Sequence, residues 1–214
     1  MTDSAVLALT ISHAKSKDLT AVLAFHQART DEYLWPRGYE YFAKLIEERQ
    51  VFVVKEGVTV VGMGYLVNEG DRWEFGGVYV EERLRARGVA SALACVVIST
   101  LYLTDEPNEL IAHVHEFNQA PRGALRRLGF EDTGTQERPP IEPPKSMRRN
   151  DKGEVVGDLF RFKRSALIAF ADWLDGFDGM LHGRDGVETP LTILANVWTQ
   201  RTTLISALRE LADK

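Results

Sequence analysis

The sequence is short of the residues and runs that mark several whole classes of protein. It has one cysteine, Cys95, in 214 residues, so no internal disulfide can form and a disulfide-stapled scaffold is excluded. Cys95 lies among Leu93, Val96 and Val97, where a small buried side chain is the simplest role. No apolar run approaches the ~20 residues that span a bilayer, and no basic segment precedes the short apolar stretch of the N-terminus, MTDSAVLALTISH. A cytoplasmic protein with no membrane partner is therefore expected. Basic residues are outnumbered, 26 Lys and Arg against 31 Asp and Glu for a formal net charge of −5, which argues against a broad nucleic-acid surface. No Gly-Lys-Ser/Thr follows a glycine loop, so a phosphate-binding loop of the NTPase kind is absent. Asp175, Asp178 and Asp185 punctuate a glycine-rich stretch, but their spacing is not that of an EF-hand, and no metal is expected.

What is present begins with an ordinary globular composition, 44% hydrophobic and 27% charged, enough for one well-cored domain or a domain with an appendage. The most informative stretch is residues 73–100, WEFGGVYVEERLRARGVASALACVVIST. Residues 74–80 carry the β-branched and aromatic side chains of a strand. Arg85-Ala86-Arg87-Gly88-Val89-Ala90-Ser91 then turns into a helix whose first turn is made of small residues. Small side chains let backbone N–H groups approach a ligand closely, and a helix N-terminus favours anions. Arg83, Arg85 and Arg87 add positive charge beside that turn, so the local chemistry is that of a phosphate cradle. The strands before the cradle read as hairpins rather than βαβ units, which excludes a Rossmann-type nucleotide site.

The spacing Arg85-x-x-Gly88-x-Ala90 resembles the acyl-CoA signature of the GNAT N-acyltransferases, in which loop amides hold the cofactor's pyrophosphate. A second stretch, Val114-x-x-x-Asn118 followed eleven residues later by Gly129-Phe130, resembles another signature of the same family. Residues 157–162 are similar to its final strand, so the resemblance covers roughly residues 5–164. It implies an α+β fold: a mixed, mostly antiparallel central sheet flanked by helices. Residues 1–164 would form the acyl-CoA-binding domain, and residues 165–214 a C-terminal helical extension.

The remaining elements follow from local pattern. A strand is expected over residues 6–12 and a helix over residues 18–28, with Asp18 as N-cap. Residues 29–42 form an aromatic link that either packs between helices or borders the acceptor, and a second helix runs over residues 41–50. Strands over residues 50–55 and 59–67 are joined by the Glu56-Gly57 turn. A helix with Val89, Leu93, Val96, Val97 and Leu101 at core spacing follows the cradle. A strand over residues 109–116 and a helix over residues 119–128 come next. The proline-rich residues 138–144 must be a loop, either a plain connector or a wall of the acceptor site. Helices close the chain over residues 166–174 and 191–211.

The resemblance also assigns roles. Acetyl-CoA would be the cosubstrate, held by the backbone at Val78, Tyr79 and Val80, by the cradle from Arg85 to Ser91, and by Asn118. Gly76-Gly77 within the strand marks a bulge or a close backbone approach. Glu74 lies eleven residues before Arg85, where the histone acetyltransferase branch carries its general base. His113 and His115 project to one face of the neighbouring strand, and one of them, His115 in the first place, is a candidate proton shuttle. The family's usual acid, a tyrosine seven residues after Asn118, is replaced by Leu125. The expected activity is transfer of an acetyl group to a primary amine of a small molecule or peptide. A non-catalytic acyl-CoA sensor is the alternative that Leu125 favours. The amphipathic last helix offers a face for a homodimer.

Overall fold

Apolar alternation through residues 51–80, interrupted by two polar turns, folds that stretch into a three-stranded meander. The computed structural model describes residues 8–139, 142–184 and 186–213. The meander consists of β2 (Val51–Glu56), β3 (Thr59–Asn68) and β4 (Trp73–Val80). Before it come β1 (Leu9–His13), α1 (Leu19–Gln27) and α2 (Tyr39–Glu47). After it come α3 (Val89–Thr104), β5 (Leu110–His115), α4 (Ala120–Arg127), β6 (Phe130–Glu137) and β7 (Gly157–Phe162). The chain then adds α5 (Leu167–Gly176), β8 (Met180–His182), β9 (Glu188–Ile193), α6 (Asn196–Thr199) and α7 (Arg201–Ala212).

Among the described residues, nine strands join one sheet in the order β6-β7-β5-β4-β3-β2-β1-β9-β8. Among the pairings of the described residues β4–β5 and β1–β9 run parallel and the others antiparallel, so the sheet is mixed and mostly antiparallel. Helices α1 and α2 cover one face through Val22, Phe25, Phe42, Leu45 and Ile46. Helix α3 covers the other. Its expected core stripe extends around the helix, because α5 and α7 lay Leu167, Phe170, Leu174, Leu204 and Leu208 over its outer side. Cys95 is caught in that layer, and burial pushes its thiol up to about 12, which makes it unreactive near neutral pH.

Four expectations need correction. Residues 130–137 form a strand that sequence reading missed: in FEDTGTQE only Phe130 is buried, so no apolar alternation announces it. The helix expected over residues 191–211 starts later, since Leu191 and Ile193 belong to β9 and pair with Leu9 and Ile11 of β1. Alternating burial of Thr189, Leu191 and Ile193 is the period-two signal that identifies β9. Asp18 does not cap α1. Its carboxylate accepts the Lys15 N–H at 2.9 Å and pairs with the Lys55 ammonium at 2.8 Å. Helix α2 begins at Tyr39, two residues before the expected start. In the proline-rich segment, Pro140 and Ile141 lie outside the described residues, as does Asp185 of the aspartate stretch.

Candidate active site

The site is built on a fork in the sheet. Strands β4 and β5 pair only at Trp73↔Leu110 and Glu74↔Ile111, and beyond that rung they separate. From Phe75 onward, the edge of β4 that faces β5 has no strand partner among the described residues. On its other side β4 carries a bulge, where the register with β3 passes from Tyr65↔Gly76 to Met63↔Tyr79 and places two β4 residues against one. Gly77 makes the bulge possible. Its φ is +58°, and a Cβ there would lie 2.0 Å from the Tyr65 ring. The Gly76-Gly77 signal thus marks both a bulge and a close packing of backbone against an aromatic face. Past the bulge, Val78 and Val80 pack toward α3, whereas Tyr79 packs toward α1 and α2.

The cradle follows directly. Leu84 and Val89 are buried and pin its two ends, while Arg85, Ala86 and Gly88 between them are exposed. Gly88 is the N-cap of α3 with φ +79°, and Ala86 sits at φ +63° despite its side chain. The first amide to bond back into the helix is that of Ala92, to the Gly88 carbonyl at 2.9 Å. The N–H groups of Val89, Ala90 and Ser91 therefore stand without intrahelical partners at the positive end of a 16-residue helix. Of the three arginines, Arg83 is committed to Glu56 (2.5 Å) and Glu81 (2.7 Å), so its charge is neutralised. Arg85 meets Glu82 loosely at 3.7 Å with both side chains in solvent.

On the opposite side of the fork, side chains from four segments converge. His113 on β5 places Nδ1 3.3 Å from Glu74 Oε1 and Nε2 3.1 Å from Glu137 Oε2. Glu137, at the end of β6, is gripped by both terminal nitrogens of Arg72 at 3.0 and 2.8 Å. Arg72 also donates to Glu69 at 2.8 Å. The Arg72 guanidinium lowers the Glu137 carboxyl to about 2, with His113 helping against a burial cost. Burial alone would lower the pKa of His113, but the Glu74 and Glu137 carboxylates outweigh it and hold it above the ordinary histidine value. Since Glu137 is ionised and can only accept, Nε2 carries the hydrogen and Nδ1, facing Glu74, is the nitrogen that gains or loses the second proton.

Sequence reading named Glu74 and placed the two histidines on one face; it missed Glu137 and Arg72. No local pattern marks either, because each is a polar residue at the end of a strand or turn. The first choice between the histidines changes as well. His115 is only 8% exposed; its Nδ1 accepts the Phe117 N–H at 3.3 Å and its Nε2 donates to the Arg148 carbonyl at 2.9 Å. Both nitrogens are engaged by main-chain groups, whereas those of His113 face two carboxylates. Arg148 in turn donates its N–H to the Glu32 carbonyl at 2.9 Å and a guanidinium N–H to the Tyr33 hydroxyl at 3.1 Å. The β6–β7 connection is thereby tied to the aromatic link between α1 and α2. Asn118 is half-buried and its Oδ1 accepts the Ala120 N–H at 3.3 Å, opening α4. Leu125 points into the core with 8% exposure.

Solved structures with the same architecture are those of GNAT enzymes. The ribosomal-protein-S18-alanine N-acetyltransferase of Escherichia coli is 19% identical, with a TM-score of 0.54 over 72% of this chain and 92% of that one. Ard1 of Thermoplasma volcanium is 19% identical, with a TM-score of 0.56 over 72% of this chain and 97% of that one. The putative acetyltransferase yncA of Salmonella typhimurium, solved with acetyl-CoA, is 20% identical, with a TM-score of 0.55 over 72% of this chain and 92% of that one. No curated protein sequence matches. The Acetyltransferase (GNAT) family profile matches residues 20–130, just over half the chain, and runs from α1 through the fork and the cradle to the start of β6. The chain belongs to the GNAT acetyltransferase family.

Proposed function

We propose that the chain acetylates a primary amine of a small molecule or peptide, by direct attack of the amine on acetyl-CoA with both held at the fork. The observation that carries this reading is the parting of β4 from β5 immediately beyond Glu74, with the Glu74–His113 pair at the vertex. The unpaired edge of β4 at Val78, Tyr79 and Val80 supplies main-chain groups for the pantetheine arm. The amides of Gly88, Val89, Ala90 and Ser91, with Arg85, Ala86 and Arg87 around them, supply the pyrophosphate site. Asn118 lies where β5 ends, on the other arm of the fork. The acetyl-CoA bound to the Salmonella relative supports the choice of cosubstrate.

The amine attacks the thioester carbonyl, the carbon–sulfur bond breaks, and the amine's proton passes to His113 Nδ1. Glu74 accepts the new Nδ1–H and stabilises the imidazolium as it forms, while the Glu137–Arg72 pair orients the ring through Nε2–H. The displaced thiolate is a good leaving group, and Leu125 contributes nothing to its protonation. The base works only when His113 is neutral, so the rate rises with pH through the raised His113 value and falls below it.

Acetyl transfer across a panel of small amines and peptides, measured between about pH 5 and 9, tests the reading. Transfer to at least one amine is expected, with a loss of about 10²-fold in kcat for Glu74→Gln. Replacing Glu137 with Gln removes one carboxylate from the imidazole and moves the alkaline rise to lower pH. Stabilisation of the protein by acetyl-CoA without acetylation of any amine would end the enzyme reading and leave the sensor that Leu125 favours.

A further inference from the structure

The cradle is touched by a part of the chain that lies beyond the family match. Strands β8 and β9 form a hairpin, its tip closed by the Gly183 N–H donating to the Val187 carbonyl at 3.0 Å and the Gly186 N–H to the Gly183 carbonyl at 3.0 Å. At that tip the Arg184 N–H donates to the carbonyl of Ala86 at 3.0 Å. Ala86 is the cradle residue held at φ +63°, a conformation a side chain disfavours. One strand back, Leu181 is 4% exposed and shares the core cluster with Val89, and its Cδ2 stands 3.9 Å from where a Cβ at Gly88 would sit. The hairpin is itself anchored, because β9 pairs with β1 in the main sheet and Leu194 donates to the Ile11 carbonyl at 2.8 Å.

We propose that the β8–β9 hairpin is a clamp that presets the cradle for the cosubstrate's phosphates. This rests on the reading of residues 85–91 as the pyrophosphate site. Two independent contacts, a main-chain hydrogen bond to Ala86 and an apolar backing behind Gly88 and Val89, fix the two residues whose left-handed conformations aim the α3 amides outward. A loop already in its bound shape loses less freedom when the ligand arrives, so affinity for acetyl-CoA depends on a hairpin that is not itself part of the cradle. The main-chain N–H of residue 184 and the Leu181 side chain are the positioning groups, so within the extension it is the hairpin, not α5 or α7, that bears on the cradle.

The test is calorimetric titration of the full chain with acetyl-CoA, alongside the acceptor KM and the melting temperature. Arg184→Pro removes the donating N–H, Arg184→Ala keeps it, and Leu181→Ala removes the backing. Leu208→Ala, at a fully buried position of α7, destabilises the extension away from the hairpin. Arg184→Pro and Leu181→Ala are each expected to weaken acetyl-CoA binding about five-fold. The acceptor KM should be unchanged in both. Arg184→Ala and Leu208→Ala should bind within about two-fold of wild type, the latter despite a lower melting temperature. Wild-type affinity in Leu181→Ala or Arg184→Pro overturns the clamp, as does an equal loss in Arg184→Ala or in Leu208→Ala. If wild type itself does not bind acetyl-CoA, the cradle reading falls and the clamp with it.

Discussion

On the proposed cofactor side of the fork the binding groups are main-chain atoms of one continuous stretch, residues 78–91. On the proposed acceptor side they are four side chains, Arg72, Glu74, His113 and Glu137, brought together from a turn and three strands. Most side chains in the first half can change without removing a ligand contact, provided the backbone keeps its path. In the second half each side chain holds the next, and losing one unseats its neighbours. The two halves should therefore fail differently. The first is sensitive to backbone shape and tolerant of surface charge, whereas the second is sensitive to single functional groups.

The largest effect should come from His113→Ala, which removes the proposed proton acceptor and leaves Glu74 and Glu137 facing each other. A fall in kcat of about 10²–10⁴-fold is expected, with acetyl-CoA affinity unchanged. A comparable loss of affinity would show that the two halves are one unit. Next is Gly77→Val, which forces a branched side chain into the Tyr65 ring at a positive φ. Unfolding free energy should drop by about 3 kcal/mol in denaturant titrations, through overpacking and backbone strain together. Surviving protein should bind acetyl-CoA poorly. Smallest is Arg85→Ala. With 70% of its side chain in solvent, it should raise the KM for acetyl-CoA by only about two- to three-fold, an effect that shrinks further as salt is added. A loss of two orders of magnitude there would mean that a side chain, not the backbone, carries the cradle.

The same contrast explains what could be read from the sequence. The backbone shape of the cradle was legible because Arg85, Gly88, Ala90 and Ser91 lie within one short stretch and their types report backbone requirements directly. The bulge was legible from Gly76-Gly77, since two glycines inside a strand have few other uses. Glu74 was reachable by counting back from the cradle. Its connection to Glu137 was not, because that contact depends on β6 lying beside β7 and β7 beside β5, a pairing that FEDTGTQE does not advertise. His115 was preferred to His113 on equal sequence evidence, and only the Arg148 carbonyl and the Phe117 N–H distinguish them. The extension was read as helical because Leu191 and Leu194 extend the apolar spacing of α7 backward. Long-range pairing with β1 overrides that local pattern.

That pairing also dictates the order in which the molecule can be completed. Leu9 waits for Leu191, so β1 keeps one edge open on the ribosome until β9 has been synthesised. A contact of such long sequence separation forms late, and until it does the nascent chain carries an unpaired strand able to join a neighbouring chain. The hairpin that seals this edge is the same one that reaches Ala86. Chains that stop short of it would expose an adhesive strand as well as an unsupported cradle.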